Sequence, residues 1–147
     1  MKKTIKGSIT ERNVATAFAN ESMTVSRYSV FSRVAFKEGL ELAGDVFAEI
    51  MEDEKRHAST LFRFFEGTFV ELNLTLQMIP SGSTSENIAN SVKVEHAAWN
   101  IRYPEFAKIA EEEGFPEISK VFDNFAHDEK LHEGRLKKAG KLLSVGG

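Results

Sequence analysis

The chain contains no cysteine. Disulfides, thiolate-bound zinc and iron–sulfur clusters are therefore excluded within these residues, because each requires sulfur from the protein. The absence is compatible with a reducing compartment, and a cytoplasmic location is expected. Long hydrophobic runs are also missing. Nothing approaches the roughly 20 apolar residues needed to span a bilayer. The opening Met1-Lys2-Lys3-Thr4-Ile5-Lys6-Gly7 has charge with no apolar run behind it, so it does not read as a signal peptide. An excess of positive charge is missing too. The net charge is −3 and no long basic stripe occurs, which removes the usual footprint of a nucleic-acid partner.

Two tyrosines are set against twelve phenylalanines. Phe is bulky and has no polar atom, so a dry, aromatic core is expected. At 147 residues the chain fits one domain spanning 1–147, long enough to bury a substantial core.

The most informative feature is a repeated pentapeptide. Asp53-Glu54-Lys55-Arg56-His57 and Asp128-Glu129-Lys130-Leu131-His132 share the pattern D-E-K-x-H and lie 75 residues apart. On a helix, Glu and His three residues apart project from one face and can reach the same metal ion. A single E-x-x-H is usually a solvated surface pair. Two copies in register, each joined by a Glu from another helix, are what a four-helix bundle uses to hold two iron or manganese ions.

The remaining pattern supplies those helices. Apolar residues at helical spacing predict helices over about 10–38, 40–66, 86–113 and 116–143. Val14, Ala17, Phe18, Tyr28 and Phe31 are core positions of the first. Leu42, Phe47, Ile50, Leu61, Phe62 and Phe65 are core positions of the second. Gly39, Gly67 and Gly114 are placed as helix stops, Ser83 and Glu86 have capping-box spacing, and Pro116 fits a first helical turn. Arg27/Arg102, Tyr28/Tyr103, Phe31/Phe106, Gly39/Gly114, Phe47/Phe122 and Leu61/Leu136 all recur at the same offset of 75, which marks a duplicated helix hairpin. Short turns make each pair antiparallel. The long connection from 68 to 85 must cross the bundle, giving an all-α, ferritin-like four-helix topology.

Duplication then predicts one Glu on the first helix and one on the third. The candidate ligands are Glu21, Glu54 and His57 in one half and Glu95, Glu129 and His132 in the other. Four buried carboxylates repel one another when empty, and two divalent ions cancel their charge. Oxygen and imidazole donors suit iron or manganese with positions left open for dioxygen or peroxide. Zinc would bind, but its preference for four ligands matches this set less well. Asp53 and Asp128, four residues before each His, are candidates to receive the imidazole N–H; the alternative is surface pairing with a nearby Lys or Arg. Tyr28 and Tyr103 lie about two turns beyond Glu21 and Glu95 and are candidates to hydrogen-bond across to ligand carboxylates. His96 and His127 point away from the set.

One irregularity stands out. Glu21 and Glu95 are offset by 74 rather than 75, so one extra residue lies between Glu95 and Arg102. A π-bulge would keep both Glu95 and Tyr103 facing the site. The alternative is a regular helix with His96 as the ligand.

These motifs resemble the diiron domain of rubrerythrins, within the ferritin-like superfamily. The likeness runs through Lys6-Gly7, Phe18-Ala19-Asn20-Glu21-Ser22, Arg27-Tyr28, the two D-E-K-x-H segments and Tyr103-Pro104-Glu105-Phe106, covering nearly the whole chain. It implies reduction of hydrogen peroxide by two iron ions, with manganese or zinc possible in preparations. It also implies a homodimer, with helix pairs exchanged across the long connection in some relatives. Family members typically carry an additional cysteine-bound iron in a rubredoxin domain; without cysteine, electrons are expected from a separate donor such as rubredoxin. The family pattern E-x-x-E on the third helix here reads Glu95-His96-Ala97-Ala98. Ala98 cannot ligate, so a symmetric set of four Glu and two His is expected, with His57 bound in both redox states.

Overall fold

The computed structural model describes residues 2–146. In chain order its elements are α1 (Ile9–Lys37), α2 (Glu41–Phe62), α3 (Thr84–Ala97), a π-helical segment (Ala98–Arg102), α4 (Tyr103–Glu112) and α5 (Pro116–Gly146). The segments α3, π and α4 follow one another without interruption and form one long third helix. The result is an all-α bundle of two helix hairpins, joined by a non-helical crossover through residues 65–83, with no strand among the described residues.

Local chemistry sets most of the helix ends. Ser8 Oγ accepts from Glu11 N at 2.9 Å and caps α1. Ser83 Oγ accepts from Glu86 N at 3.2 Å and caps α3, so the third helix starts at Thr84, two residues before the expected 86. Gly39 (φ 76°) and Gly114 (φ 85°) occupy the left-handed region. Around them, Gly39 N donates to Phe36 O and Leu40 N to Ala35 O, and Gly114 N donates to Glu111 O and Phe115 N to Ala110 O. Both sets have the Schellman pattern, so the same C-terminal cap closes the first helix of each hairpin.

Each hairpin is also pinned by one equivalent contact. Ser32 Oγ donates to Gly44 O, and Ser119 Oγ donates to Ala107 O, both at 2.8 Å. Residue 32 corresponds to 107 and 44 to 119, so the two halves make the same interhelical bond with the serine on opposite helices.

The second helix ends earlier than its apolar pattern suggests. It stops at Phe62 rather than near 66, and Phe64 N and Phe65 N turn back to Leu61 O and Phe62 O in a tighter, 3₁₀-like turn. Leaving the helix buries Phe64 and brings the Glu66 carboxylate to Ile5 N at 2.8 Å and Thr4 Oγ1 at 3.0 Å. Phe62 and Phe65 are consequently exposed rather than core, as is Leu42 near the start of α2. Phe18 meets Phe62 and Phe65 edge-on at ring-centroid distances of 5.0 and 5.3 Å.

The core comes in two apolar blocks. One gathers Val14, Ala17, Leu61, Tyr103, Phe122 and Phe125. The other gathers Tyr28, Phe31, Phe47, Ile50, Leu136 and Ala139. In α1, α2 and α5 the two blocks lie on either side of the acidic and histidine positions, and on the third helix Glu95 falls between Ile88 and Ala98–Tyr103. The polar layer is thus sealed above and below by hydrocarbon, which keeps water away from it.

Candidate metal centre

Four helices deliver six side chains to one layer: Glu21 from α1, Glu54 and His57 from α2, Glu95 from α3, and Glu129 and His132 from α5. All six are buried, Glu54 completely. Their donor atoms form two overlapping clusters, each with every ligand atom within 4.8 Å of the others. Glu21, Glu54, His57 and Glu129 make the first; Glu54, Glu95, Glu129 and His132 make the second. Glu54 and Glu129 belong to both. They occupy equivalent places in the duplication, so the layer has an internal two-fold relation.

Glu95 reaches this layer because of the inserted residue. The five-residue π segment begins three positions after Glu95 and ends immediately before Tyr103. It absorbs the extra residue, so Glu95 and Tyr103 both face inward and are buried. His96 instead points out of the layer, with Nδ1 2.7 Å from Glu133 Oε1 and its ring edge-on to Trp99. The alternative in which His96 joins the cluster is overturned by this geometry. His127 is exposed.

The surrounding hydrogen bonds cross between the halves. Tyr28 Oη donates to Glu95 Oε1 at 2.6 Å, and Tyr103 Oη donates to Glu21 Oε1. His57 Nε2 lies 2.9 Å from Asp128 Oδ2, and His132 Nε2 lies 2.9 Å from Asp53 Oδ2. Each aspartate therefore serves the histidine of the opposite helix, not the one four residues along its own. Asp53 also pairs with Arg56 on its own helix, so both alternatives raised by the sequence are realised in one residue. With each aspartate beside Nε2, Nδ1 of each imidazole faces the carboxylates.

The electrostatics of the layer call for cations. Burial, then the charges of Glu95 and Glu54, push the Glu129 carboxyl well above its usual range. Burial likewise raises Glu95. Burial works against a charged His57, yet Asp128, Glu129 and Glu54 raise it to about 11. Burial also works against an ionised Glu54, but its contacts with His132 and His57 bring it down to about 2. Without metal, protons have to compensate the charge. Tyr28 and Tyr103 are pushed up by burial and by neighbouring carboxylates, so both remain hydroxyl donors.

The fit to metal rests on unpartnered atoms. Ten buried side-chain N or O atoms among the described residues lack a hydrogen bond, and seven belong to these six residues. They include Glu21 Oε2, Glu95 Oε2, both Glu54 oxygens, Glu129 Oε1 and both Nδ1 atoms. His57 Nδ1 lies 3.1 Å from Glu129 Oε1 and 3.4 Å from Glu54 Oε2 without the alignment of a hydrogen bond. Buried polar atoms are rarely left unsatisfied, and a concentration of them on hard oxygen and imidazole donors suits two divalent ions.

Known proteins are similar to this chain along most of its length. The rubrerythrin family model matches residues 12–140. A rubrerythrin of Porphyromonas gingivalis is 46% identical over 135 residues, covering 92% of this chain and 68% of that protein. One from Nitratidesulfovibrio vulgaris is 42% identical over 147 residues, covering 98% and 75%.

The chain belongs to the rubrerythrin family.

Solved structures share the helical-bundle fold. A mixed-valent state of nigerythrin aligns with TM-score 0.82 at 23% identity, covering 98% of this chain and 72% of that one. Dithionite-reduced symerythrin from Cyanophora paradoxa aligns with TM-score 0.80 at 20% identity, covering 97% and 89%. The family is one of oxidoreductase-type diiron enzymes, and the carboxylate–histidine layer suits a diiron site. No helix among the described residues is long and apolar enough to cross a membrane.

The sequence did not distinguish which carboxylates are common to both clusters, nor that the aspartate pairing is crossed. It also left unremarked Phe125, whose ring stacks on His57 at 4.1 Å between centroids.

Metal and fold should be coupled. Metal analysis of the intact protein should find about two ions per chain, and chelation should lower the melting temperature because binding relieves the buried charge. An unchanged melting temperature after complete metal removal would contradict a buried carboxylate site. The π segment gives a second expectation. Deleting the exposed Ile101 should restore a regular helix and turn Glu95 by about 100° relative to Tyr103. Metal loading should fall while helix content, read by circular dichroism, persists. Full loading of the deletion variant would show that the bulge is not what aims Glu95.

Proposed function

We propose that this chain is a non-haem diiron oxidoreductase that reduces hydrogen peroxide to water with electrons from a separate donor. The observation that carries the reading is the set of unpartnered ligand atoms in a sealed layer with two-fold symmetry. Glu21 and His57 would hold one ion and Glu95 and His132 the other, with Glu54 and Glu129 within reach of both. Two iron ions held there would supply the redox chemistry for the balanced conversion of one peroxide, two electrons and two protons into two waters. Manganese or zinc would occupy the same donors in some preparations.

The chain's own residues aim those donors. Tyr28 and Tyr103 each hold one oxygen of Glu95 and Glu21, and the other oxygen of each carboxylate is the one left unpartnered. Asp128 and Asp53 hold Nε2 of each imidazole, and Nδ1 is left free. The apolar blocks exclude water from both ends. A cleft of about 340 Å³, lined by Asp53, Arg56, His57 and Asp128 among others, offers the oxidant and protons a route between α2 and α5.

With no cysteine in these residues, electrons come from a group outside them, such as rubredoxin. A cytoplasmic homodimer fits the reading. The crossover carries Phe69 and Met78, both highly exposed, as apolar surface that a second copy would cover, and it is the segment across which helix pairs would be exchanged.

A second reading is a dioxygen-using oxidase or ferroxidase on the same layer. Ala98 favours it: this buried alanine, three residues beyond Glu95, offers no carboxylate where the family resemblance calls for one. A metal-binding or storage protein without significant turnover would react quickly with neither oxidant.

Stopped-flow mixing of the fully reduced, iron-loaded protein with peroxide or dioxygen separates these readings. Faster reoxidation by peroxide is expected; faster reoxidation by dioxygen would replace the first reading with the second. Ala98→Glu, once checked for folding and iron content, should increase the peroxide rate. A rate equal to or below that of the unaltered protein would show that Ala98 does not limit this chemistry.

A further inference from the structure

A groove of about 330 Å³ lies on the outer side of α1 and the third helix, beneath the crossover, and the reaction does not use it. Three of its lining residues are cationic: Arg27, Lys93 and Arg102. No Asp or Glu lines it, and none of the three cations has a carboxylate within ion-pair distance among the described residues. This is a local excess of positive charge on a chain whose net charge is −3. The rest of the wall is rich in neutral donors, including the amides of Asn20, Gln77 and Asn90.

The placement follows from the duplication. Arg27 and Arg102 are equivalent residues, 75 apart, each immediately before an inward-facing tyrosine. Because Tyr28 and Tyr103 point into the bundle, their preceding neighbours point outward, and the internal two-fold relation brings both guanidinium groups to one groove. Arg27 Nη2 donates to Gln77 O of the crossover at 3.2 Å, which fixes its direction. Both arginines are half-buried, so part of their hydration is already gone. Two guanidinium groups lining one groove with no acid among its lining residues are suited to a bidentate oxyanion.

We propose that this groove is a binding site for a small oxyanion of phosphate or carboxylate type, held by Arg27 and Arg102 with Lys93 in support. The proposal does not depend on which oxidant the metal layer uses.

The test is calorimetric titration of the metal-loaded protein with inorganic phosphate and, separately, with succinate, in chloride at matched ionic strength. Saturable binding near one equivalent per chain is expected for at least one of them, and the stronger one identifies the preferred oxyanion. The Arg27→Gln/Arg102→Gln double variant should lose roughly tenfold in affinity or more per arginine removed. Arg33→Gln, an exposed position outside the groove, should bind as the unaltered protein does. Circular dichroism, melting and metal content confirm that each variant is folded and loaded. Absence of saturable binding by either anion would overturn the proposal. So would undiminished binding by the double variant, which would place the anion on the metal ions instead.

Discussion

Four carboxylates confined to one water-poor layer are the constraint on which the rest of this structure depends. Two like charges about 4 Å apart repel by about 4 kcal/mol even at an effective dielectric near 20, and removing each from water costs several kcal/mol more. Nothing in the protein cancels that charge fully. Without metal, the neighbouring carboxylates make His57 strongly basic, and burial beside Glu95 and Glu54 makes Glu129 reluctant to ionise. Two divalent cations would offset that charge, which is why the layer suits a diiron site.

The architecture serves that layer. Apolar blocks above and below give the bundle its cohesion, and they also hold the dielectric low around the carboxylates. Crossed hydrogen bonds tie the halves to each other: Tyr28 and Tyr103 each reach a carboxylate of the other half, and Asp53 and Asp128 each hold the other half's histidine. Every such bond both orients a donor and joins two helices. Disturbing one hairpin therefore misaligns ligands of the other, and the centre acts as a unit.

The π segment shows how a local irregularity can be a functional requirement. A regular third helix would have presented His96 where Glu95 now stands. Five residues of π geometry shift the phase by one position, and Glu95 and Tyr103 face the layer together. The two-fold relation among the six side chains survives an asymmetry in the backbone that carries them.

Much of this was legible in the chain. The 75-residue repeat, the Schellman glycines, the Ser83 cap and the six acidic and histidine positions are local or periodic signals, and local chemistry writes them directly into sequence. The offset of 74 between Glu21 and Glu95 even located the π segment. The end of α2 was not legible, because Phe62 and Phe65 continue an apolar pattern and only the docking of Phe64 and Glu66 against the N-terminal segment draws the chain out of the helix. Nor could spacing along one helix reveal that Glu54 and Glu129 are shared, that each aspartate pairs with the opposite histidine, or that Arg27 and Arg102 meet in one groove. Sequence fixes which face of a helix a side chain occupies. Which partner it meets depends on how the helices are packed, and that is decided only when all four close around the same charge.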